Sequence, residues 1–167
     1  MVSRAPVLRT RSIRMKPHKR HPEPARPAPA RLLVCDDQAL VRASVRAMLR
    51  GIPSIQIVGE AISGRTAIAA AFDLEPDLIL MDVSMPDLDG IAATTQILAR
   101  LPNARILAFS ADAGAETMRR MFAAGARGYL QKMTNTLELV TALRRVLAGE
   151  FYLSVQAGNF PNWPRRD

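Results

Sequence analysis

Residues 31–150 show two alternating patterns of apolar and polar positions. Short, almost wholly apolar runs are typical of buried strands, and longer segments with apolar residues three or four positions apart are typical of helices. The predicted strands are RLLVC (31–35), IQIVGEA (55–61), DLILMD (77–82), ARILAFS (104–110) and RGYLQK (127–132). A segment of helical spacing follows each strand, which gives five β-α units. Strands in this alternation lie parallel, so we predict one doubly wound α/β domain.

The predicted helices have clear ends. Glycine or proline stands at or near the end of each helical segment, and Ser63 is a candidate N-cap for the second helix. In the first helix, Arg42, Arg46 and Arg50 follow one face, away from the apolar positions. The helical segments are QALVRASVRAMLRG, SGRTAIAAAFDLEP, DGIAATTQILARLP, AETMRRMFAAGA and TLELVTALRRVLAGE.

The positive charge is concentrated at the N-terminus. Residues 1–30 hold eight Lys or Arg and one acidic residue, so this segment carries +7 of the net charge of +8. The segment is also rich in proline, and we predict a disordered, basic arm over residues 1–30. Because the excess charge belongs to the arm, it does not indicate a folded nucleic-acid-binding domain.

Several classes of site are excluded from the predicted domain. Both histidines, His18 and His21, lie in the arm, so the domain has no histidine catalyst. Cys35 is the single cysteine, which excludes an internal disulfide and a cysteine-based metal site, and we interpret it as a small core residue. No apolar run has the length of a membrane span or signal peptide, and we expect a cytoplasmic protein.

Polar side chains follow four of the predicted strands. Asp36 and Asp37 come after the first strand, Asp82 ends the third, Ser110 ends the fourth and Lys132 ends the fifth. In an open α/β sheet, ligands bind beyond the carboxyl ends of the strands. We therefore expect three carboxylates, a hydroxyl and an ammonium to meet at one edge of the sheet.

This combination of side chains is suited to phosphoryl transfer. Three neighbouring carboxylates repel one another, and a divalent cation with hard oxygen ligands, such as Mg²⁺, removes that penalty. Mg²⁺ together with Lys132 would neutralise a transferring phosphoryl group around one aspartate. Asp82 is then the candidate nucleophile that forms an aspartyl phosphate, and Ser110 supplies a hydroxyl to a phosphoryl oxygen.

The same residues resemble those of a bacterial response-regulator receiver domain. The pair Asp36-Asp37, Asp82 in MDVSMPDLDG, Ser110 and Lys132 stand in that family's order, with 45 residues from Asp37 to Asp82, 28 more to Ser110 and 22 more to Lys132. The segments VGEAISGRTAI, AAGARGYLQK and VLAGEFYLS are similar to the NarL/FixJ (LuxR-type) class. The resemblance covers about residues 31–150. It implies a flavodoxin-like (βα)5 fold with strand order 2-1-3-4-5.

The resemblance also implies roles for the acidic residues. Asp82 would accept a phosphoryl group from a sensor histidine kinase or a histidine phosphotransfer protein. Asp37 and Asp82 would hold Mg²⁺, with Asp36 binding it directly or through water and the backbone carbonyl of Ser84 as a further ligand. Pro86 would shape the loop after Asp82. A receiver is a switch that is phosphorylated and dephosphorylated, and we do not expect a turnover enzyme.

The remaining roles concern the switch. Lys132 and Ser110 would contact the phosphoryl group, and Tyr129 would change rotamer when Ser110 moves toward it. Met133 departs from the pattern of many receivers, which have proline after the lysine, although the NarL/FixJ class often lacks that proline. Regulators of this class carry a helix-turn-helix domain after the YLS segment. The short predicted tail at 151–167 cannot form one, so we expect the output domain to be absent.

Several functions remain open from the sequence. The chain is either a stand-alone receiver that signals by protein contact through its fourth helix, fifth strand and fifth helix, a phosphate sink, or a truncated transcriptional regulator. Nucleic-acid binding through arm residues 4–20 is a further alternative, because the arm is positively charged. Such binding would be weak and non-specific, because the arm has no aromatic residue on which bases could stack. Haloacid-dehalogenase-type phosphatases fit less well, since they have a second aspartate where this chain has Ser84.

A homodimer is a further prediction from the last helix. Leu137, Val140, Leu143 and Leu147 form an apolar stripe with heptad-like spacing. Such a stripe is either a dimer interface or the face of the helix that packs on the sheet. We favour packing on the sheet.

Overall fold

The computed structural model describes residues 28–112 and 114–154. Most of the predicted arm and the predicted tail beyond residue 154 lie outside these residues. The described elements, in chain order, are β1 (Ala30–Cys35), α1 (Ala39–Leu49), β2 (Ile55–Ala61), α2 (Gly64–Leu74), β3 (Leu78–Asp82), α3 (Gly90–Arg100), β4 (Arg105–Ser110), α4 (Ala115–Ala123), β5 (Gly128–Gln131), α5 (Thr136–Leu147) and β6 (Tyr152–Leu153).

The strands form one parallel sheet in the order β2-β1-β3-β4-β5-β6. The first five confirm the predicted flavodoxin-like order, and β6 is an addition that the sequence analysis does not predict. Because β6 pairs with β5, the sheet extends into the segment assigned above to the tail. At the other end, β1 begins at Ala30, which is the last residue of the predicted arm.

The helices cover both faces of the sheet, as a doubly wound fold requires. Helices α1 and α5 pack through leucine and valine on one face, and α2, α3 and α4 pack on the other face through alanine, methionine and isoleucine. All five residues of β3 are buried, and its last residue is Asp82. The central strand therefore delivers a carboxylate from the middle of the core to the carboxyl edge of the sheet.

Local capping fixes the starts of three helices. Ser63 caps α2 as predicted, because its hydroxyl accepts a hydrogen bond from the Thr66 N–H, and Thr66 reciprocates in a capping box. Asp89 caps α3 and Asn135 caps α5, each by accepting a hydrogen bond from the backbone N–H three residues further on. In the described part of the chain, no helix combines the length and apolar character that a membrane span needs.

The apolar stripe of α5 is mostly part of the core. Val140 and Leu143 are buried against the sheet, and Leu147 packs against the same cluster. These positions agree with the favoured interpretation. Leu137 differs, because it is 78% exposed, and the homodimer stays a prediction.

Candidate functional site

The carboxyl edge of the sheet brings two of the predicted aspartates and the lysine into direct contact. Lys132, which follows β5, places its Nζ 2.9 Å from Asp82 Oδ2 and 2.9 Å from Asp36 Oδ2. The ammonium donates a hydrogen bond to Asp82. Both aspartates are about 1% exposed, and the lysine side chain is 12% exposed. One cation is thus shared by two buried carboxylates.

Asp37 completes the acidic group from the solvent side. One carboxylate oxygen from each of Asp36, Asp37 and Asp82 lies within 4.8 Å of the others. Asp37 is exposed, whereas the other two are buried. The three negative charges exceed the single positive charge of Lys132, so the edge of the sheet is short of positive charge.

Burial and pairing oppose each other at this site. Burial raises the pKa of Asp82, and this effect outweighs the lowering by Lys132, so the pKa of Asp82 is raised overall. Burial would lower the pKa of Lys132, but the contacts with Asp36 and Asp82 raise it further than burial lowers it. The two shifts therefore differ in cause: burial raises the pKa of Asp82, and the two carboxylate partners raise the pKa of Lys132.

The donor set fits a magnesium ion. Asp36 Oδ2 is buried, and the cation beside it is the Lys132 ammonium, 2.9 Å away, which Asp36 shares with Asp82. Buried carboxylate oxygens normally have a donor or a cation. Mg²⁺ prefers oxygen ligands and retains water, so the two buried carboxylates and exposed Asp37 suit it.

The loop after Asp82 is held tightly against the site. The Ser84 N–H donates to Asp82 Oδ1 at 3.2 Å, and the Pro86 carbonyl accepts from the Leu88 N–H at 2.8 Å. A Cβ on Gly90 would lie 2.0 Å from the Asp82 carbonyl oxygen. Only glycine therefore lets α3 begin so close to the backbone of the central aspartate. The loop holds the Ser84 N–H against Asp82, and the ligand role of the Ser84 carbonyl stays a prediction.

Ser110 and Tyr129 are linked through a residue that the sequence analysis did not identify. Ser110 Oγ accepts from the Asp112 N–H at 3.1 Å, and the buried Tyr129 hydroxyl donates to the Asp112 carbonyl at 2.7 Å. The Asp112 carboxylate in turn accepts from the Gly114 N–H and the Thr117 hydroxyl at the start of α4. The loop between β4 and α4 thus joins the two predicted switch residues to a helix.

The sequence also gave no role to Arg42. Its guanidinium Nη1 donates to the carbonyl oxygens of Asp36 and Asp37 at 2.8 and 3.3 Å. An arginine on a helix face is normally solvated, so its position in the pattern carries no signal for this contact. The glycine at the start of the third helix, in PDLDG, is a signal that could have identified Gly90.

Comparison with known proteins identifies the family. The family model described as the response regulator receiver domain matches residues 32–144. The chain belongs to this family. The response regulator GacA of Pseudomonas viridiflava is 40% identical to this receiver over 126 residues, which are 75% of this chain and 59% of GacA. The response regulator VraR of Staphylococcus aureus is 38% identical over 120 residues, which are 72% of this chain and 57% of VraR. The receiver chain thus spans less than two thirds of the length of these relatives.

Solved structures agree with the family and its class. A LuxR-family two-component response regulator from Aurantimonas sp. SI85-9A1 is 33% identical with a TM-score of 0.74, over 77% of this chain and 92% of that chain. The signal receiver domain of a NarL response regulator from Mycobacterium tuberculosis is 30% identical with a TM-score of 0.72, over 74% of this chain and 100% of that one. The predicted receiver fold and NarL/LuxR class are confirmed. Receiver domains are the switches of two-component systems.

Proposed function

We propose that Asp82 is the phosphoacceptor of this receiver and that it takes its phosphoryl group from a sensor histidine kinase or a histidine phosphotransfer protein. The observation that carries the proposal is the buried Asp82 carboxylate at the end of the central strand, which shares Lys132 with Asp36 and lies beside Asp37. A carboxylate oxygen of Asp82 attacks phosphorus, the new O–P bond forms, and the P–N bond to the donor imidazole breaks.

The neighbouring residues have separate tasks in this proposal. Asp36, Asp37, Asp82 and the backbone carbonyl of Ser84 hold Mg²⁺, which supplies the positive charge that three carboxylates and a phosphoryl group require. Lys132 stays protonated, because its pKa is raised, and its ammonium pairs with a phosphoryl oxygen. The Ser110 hydroxyl donates to another phosphoryl oxygen.

The switch in this proposal runs through the loop between β4 and α4. When Ser110 turns toward the phosphoryl group, its hydrogen bond with the Asp112 N–H is lost, and the Asp112 carbonyl that holds the Tyr129 hydroxyl shifts with it. Tyr129 then changes rotamer, and the surface formed by α4, β5 and α5 changes with it. This surface is the proposed contact with a downstream protein.

Exposed apolar side chains support a protein partner near the site. Among the described residues, the large apolar side chains that are more than half exposed lie at the carboxyl side of the sheet, in the first turns of α1 and α5 or in loops that follow strands. These residues are Leu40, Ile62, Met133 and Leu137. A donor protein that brings a phosphohistidine to Asp82 must approach from this side. Its apolar surface would cover these residues.

The proposal is tested by phosphorylation with acetyl phosphate in the presence of Mg²⁺, followed by intact mass. The native protein should gain one phosphoryl group that hydroxylamine removes, and Asp82→Asn should gain none. Asp87→Asn is the matched control, since Asp87 lies in the same loop but outside the acidic group, and it should be modified like the native protein. Equal modification of native protein and Asp82→Asn would contradict the proposal.

Three predictions on the whole chain stay open. The phosphate sink and the truncated regulator differ from a signalling receiver only in partners and phosphorylated lifetime. Nucleic-acid binding through residues 4–20 concerns a segment outside the described residues. The described site favours none of these over the signalling receiver.

A further inference from the structure

The turn that carries the two acidic residues lies between β1 and α1. Asp36 N–H donates to the Ala61 carbonyl at 3.0 Å, and Asp36 Oδ1 accepts from the Gln38 N–H at 2.9 Å. The first carbonyl that accepts bonds from α1 is that of Gln38, to which Val41 and Arg42 donate. The carbonyl groups of Asp36 and Asp37 therefore precede the hydrogen bonds of the helix and need another donor.

Arg42 supplies that donor from the first turns of α1. Its Nη1 reaches the Asp36 and Asp37 carbonyls at 2.8 and 3.3 Å, and its Nε donates to Glu60 Oε2 at 2.9 Å. The Arg42 side chain is only 15% exposed, and its bond to the Asp36 carbonyl is partly buried. One guanidinium thus ties the acidic turn to α1 and to β2.

Glu60 fixes the orientation of this guanidinium. It lies in β2 opposite Val34 of β1, so a neighbouring strand of the sheet holds its backbone. Its other oxygen, Oε1, pairs with Arg46, one turn further along α1. Arg46 is half exposed, and in the described part of the chain its hydrogen bonds include none to the acidic turn. The two arginines therefore share a carboxylate, but only Arg42 reaches the site.

We propose that Arg42 is a positioning residue for Mg²⁺, held in place by Glu60, and that it sets the direction in which Asp36 and Asp37 present their carboxylates. This inference rests on the proposed function of the site. The hydrogen bonds fix the backbone of both residues, and a side chain follows the backbone that carries it. Arginine is required because its planar fork serves three acceptors at once, whereas an ammonium is a single point of charge.

Charge and positioning predict opposite effects, which makes the proposal testable. A positive guanidinium near a cation site repels the cation, so its removal would strengthen Mg²⁺ binding if charge were its only contribution. Its removal weakens Mg²⁺ binding if it positions the ligands. Loss of a residue that orients metal ligands typically weakens metal affinity by about 10- to 100-fold.

The experiment is a Mg²⁺ titration of the unphosphorylated full chain by isothermal titration calorimetry. Arg42→Gln should bind Mg²⁺ about tenfold more weakly than the native protein, and Arg42→Lys should recover little of the loss. Arg46→Gln is the matched control, because it loses the same charge from the same helix and the same carboxylate, and its affinity should stay within about twofold of native. Melting temperatures in EDTA identify any variant that does not fold.

Each outcome is decisive for one of the two proposals. A native protein that binds no Mg²⁺ contradicts the proposed function itself. If the native protein binds Mg²⁺ and Arg42→Gln binds equally or more tightly, the positioning role is wrong and the proposed function stands. Glu60→Gln leaves Arg42 in place but frees it, and it should show a smaller loss of affinity. Arg42→Lys decides the question if Arg42→Gln does not fold, because it keeps the positive charge and loses only the planar fork: native affinity would contradict the positioning role, and weaker binding would support it.

Discussion

Two charge clusters lie next to each other at the carboxyl edge of the sheet, and each is the inverse of the other. In the acidic cluster, one ammonium lies between two carboxylates, and in the basic cluster, one carboxylate lies between two guanidinium groups. The acidic cluster consists of Asp36, Asp82 and Lys132, and the basic cluster consists of Glu60, Arg42 and Arg46. In each cluster, two ions of one sign contact a single ion of the other sign. Any difference in behaviour between the clusters therefore comes from their surroundings.

Burial decides how each cluster behaves. In the acidic cluster, burial raises the pKa of Asp82 more than Lys132 lowers it. In the basic cluster, burial also raises the pKa of Glu60, but hydrogen bonds from Arg46 and Arg42 outweigh it, and the pKa is lowered overall. Arg46 is half exposed, so water solvates its guanidinium and compensates for the negative charge that the basic cluster lacks. The buried aspartates have no such access, and together with Asp37 they form a group that could hold a metal ion.

The comparison separates a functional site from a structural one. A charge cluster whose excess charge is solvated needs no bound ion. Its side chains are then able to hold a neighbouring residue in position. A buried cluster with excess negative charge destabilises the folded state until a cation binds. The desolvation cost of that charge therefore favours cations as ligands. The two clusters meet at Arg42, which belongs to the basic cluster and bonds to the backbone of Asp36.

The largest expected effect comes from removal of the central ion of the acidic cluster. Lys132→Met leaves Asp36 and Asp82 buried without a cation, and loss of one partner of a buried pair costs about 3–5 kcal/mol. Urea unfolding in EDTA at neutral pH should show a loss of free energy of unfolding in that range. If the folded site binds Mg²⁺ as proposed, addition of Mg²⁺ should restore part of the loss.

A second substitution tests the cause of that loss. Adding Asp82→Asn to Lys132→Met removes one of the two uncompensated charges, and the double variant should be more stable than Lys132→Met alone. A loss below about 1 kcal/mol for Lys132→Met would place this pair among surface ion pairs. In that case the contrast between the two clusters would be wrong.

The next effect is a pH dependence of opposite sign in the two clusters. The folded-state pKa of Asp82 lies above its usual value of 3.8, so the folded state gains stability relative to the unfolded state as pH falls through it. Asp82→Asn should therefore be more stable than the native protein at neutral pH, and the difference should shrink on acidification. Urea unfolding over a range of pH measures both curves.

Glu60→Gln should behave in the reverse sense. Its folded-state pKa lies below the usual value of 4.5, so Glu60 stabilises the native protein above that value and stops doing so as pH falls through the folded-state pKa. The variant should be less stable than the native protein at neutral pH and equal to it in acid. Differences of the same sign for Asp82→Asn and Glu60→Gln would contradict the comparison.

The sequence predicted the acidic cluster because its members are fixed by local position. Asp36, Asp82 and Lys132 each come at or directly after the end of a strand. Parallel strands bring such ends to one edge whatever the details of packing. The order of the first five strands came from the receiver resemblance and not from this argument, and the structure has that order.

The sequence did not predict the basic cluster because its members are joined by packing alone. Arg42, Arg46 and Arg50 follow one helix face and look equivalent in the sequence. What distinguishes Arg42 from Arg46 is its reach to the carbonyl groups of the acidic turn. Glu60, which pairs with both arginines, lies 18 residues from Arg42 on another element. Strand β6 was missed for a similar reason, since its two residues form a strand only because the edge of β5 is available.

The smallest expected effect is the salt dependence of the basic cluster. Arg46→Gln removes a half-exposed pair with Glu60 and should cost about 0.5 kcal/mol at low salt. Because salt screens exposed charges, the cost should vanish between about 0.05 and 0.5 M NaCl, measured by urea unfolding. The cost of Lys132→Met should persist over the same range, since a buried pair is screened little. If salt reduced the costs of Arg46→Gln and Lys132→Met equally, solvent would reach both clusters alike. Burial would then not explain the proposed need of the acidic cluster for a bound cation.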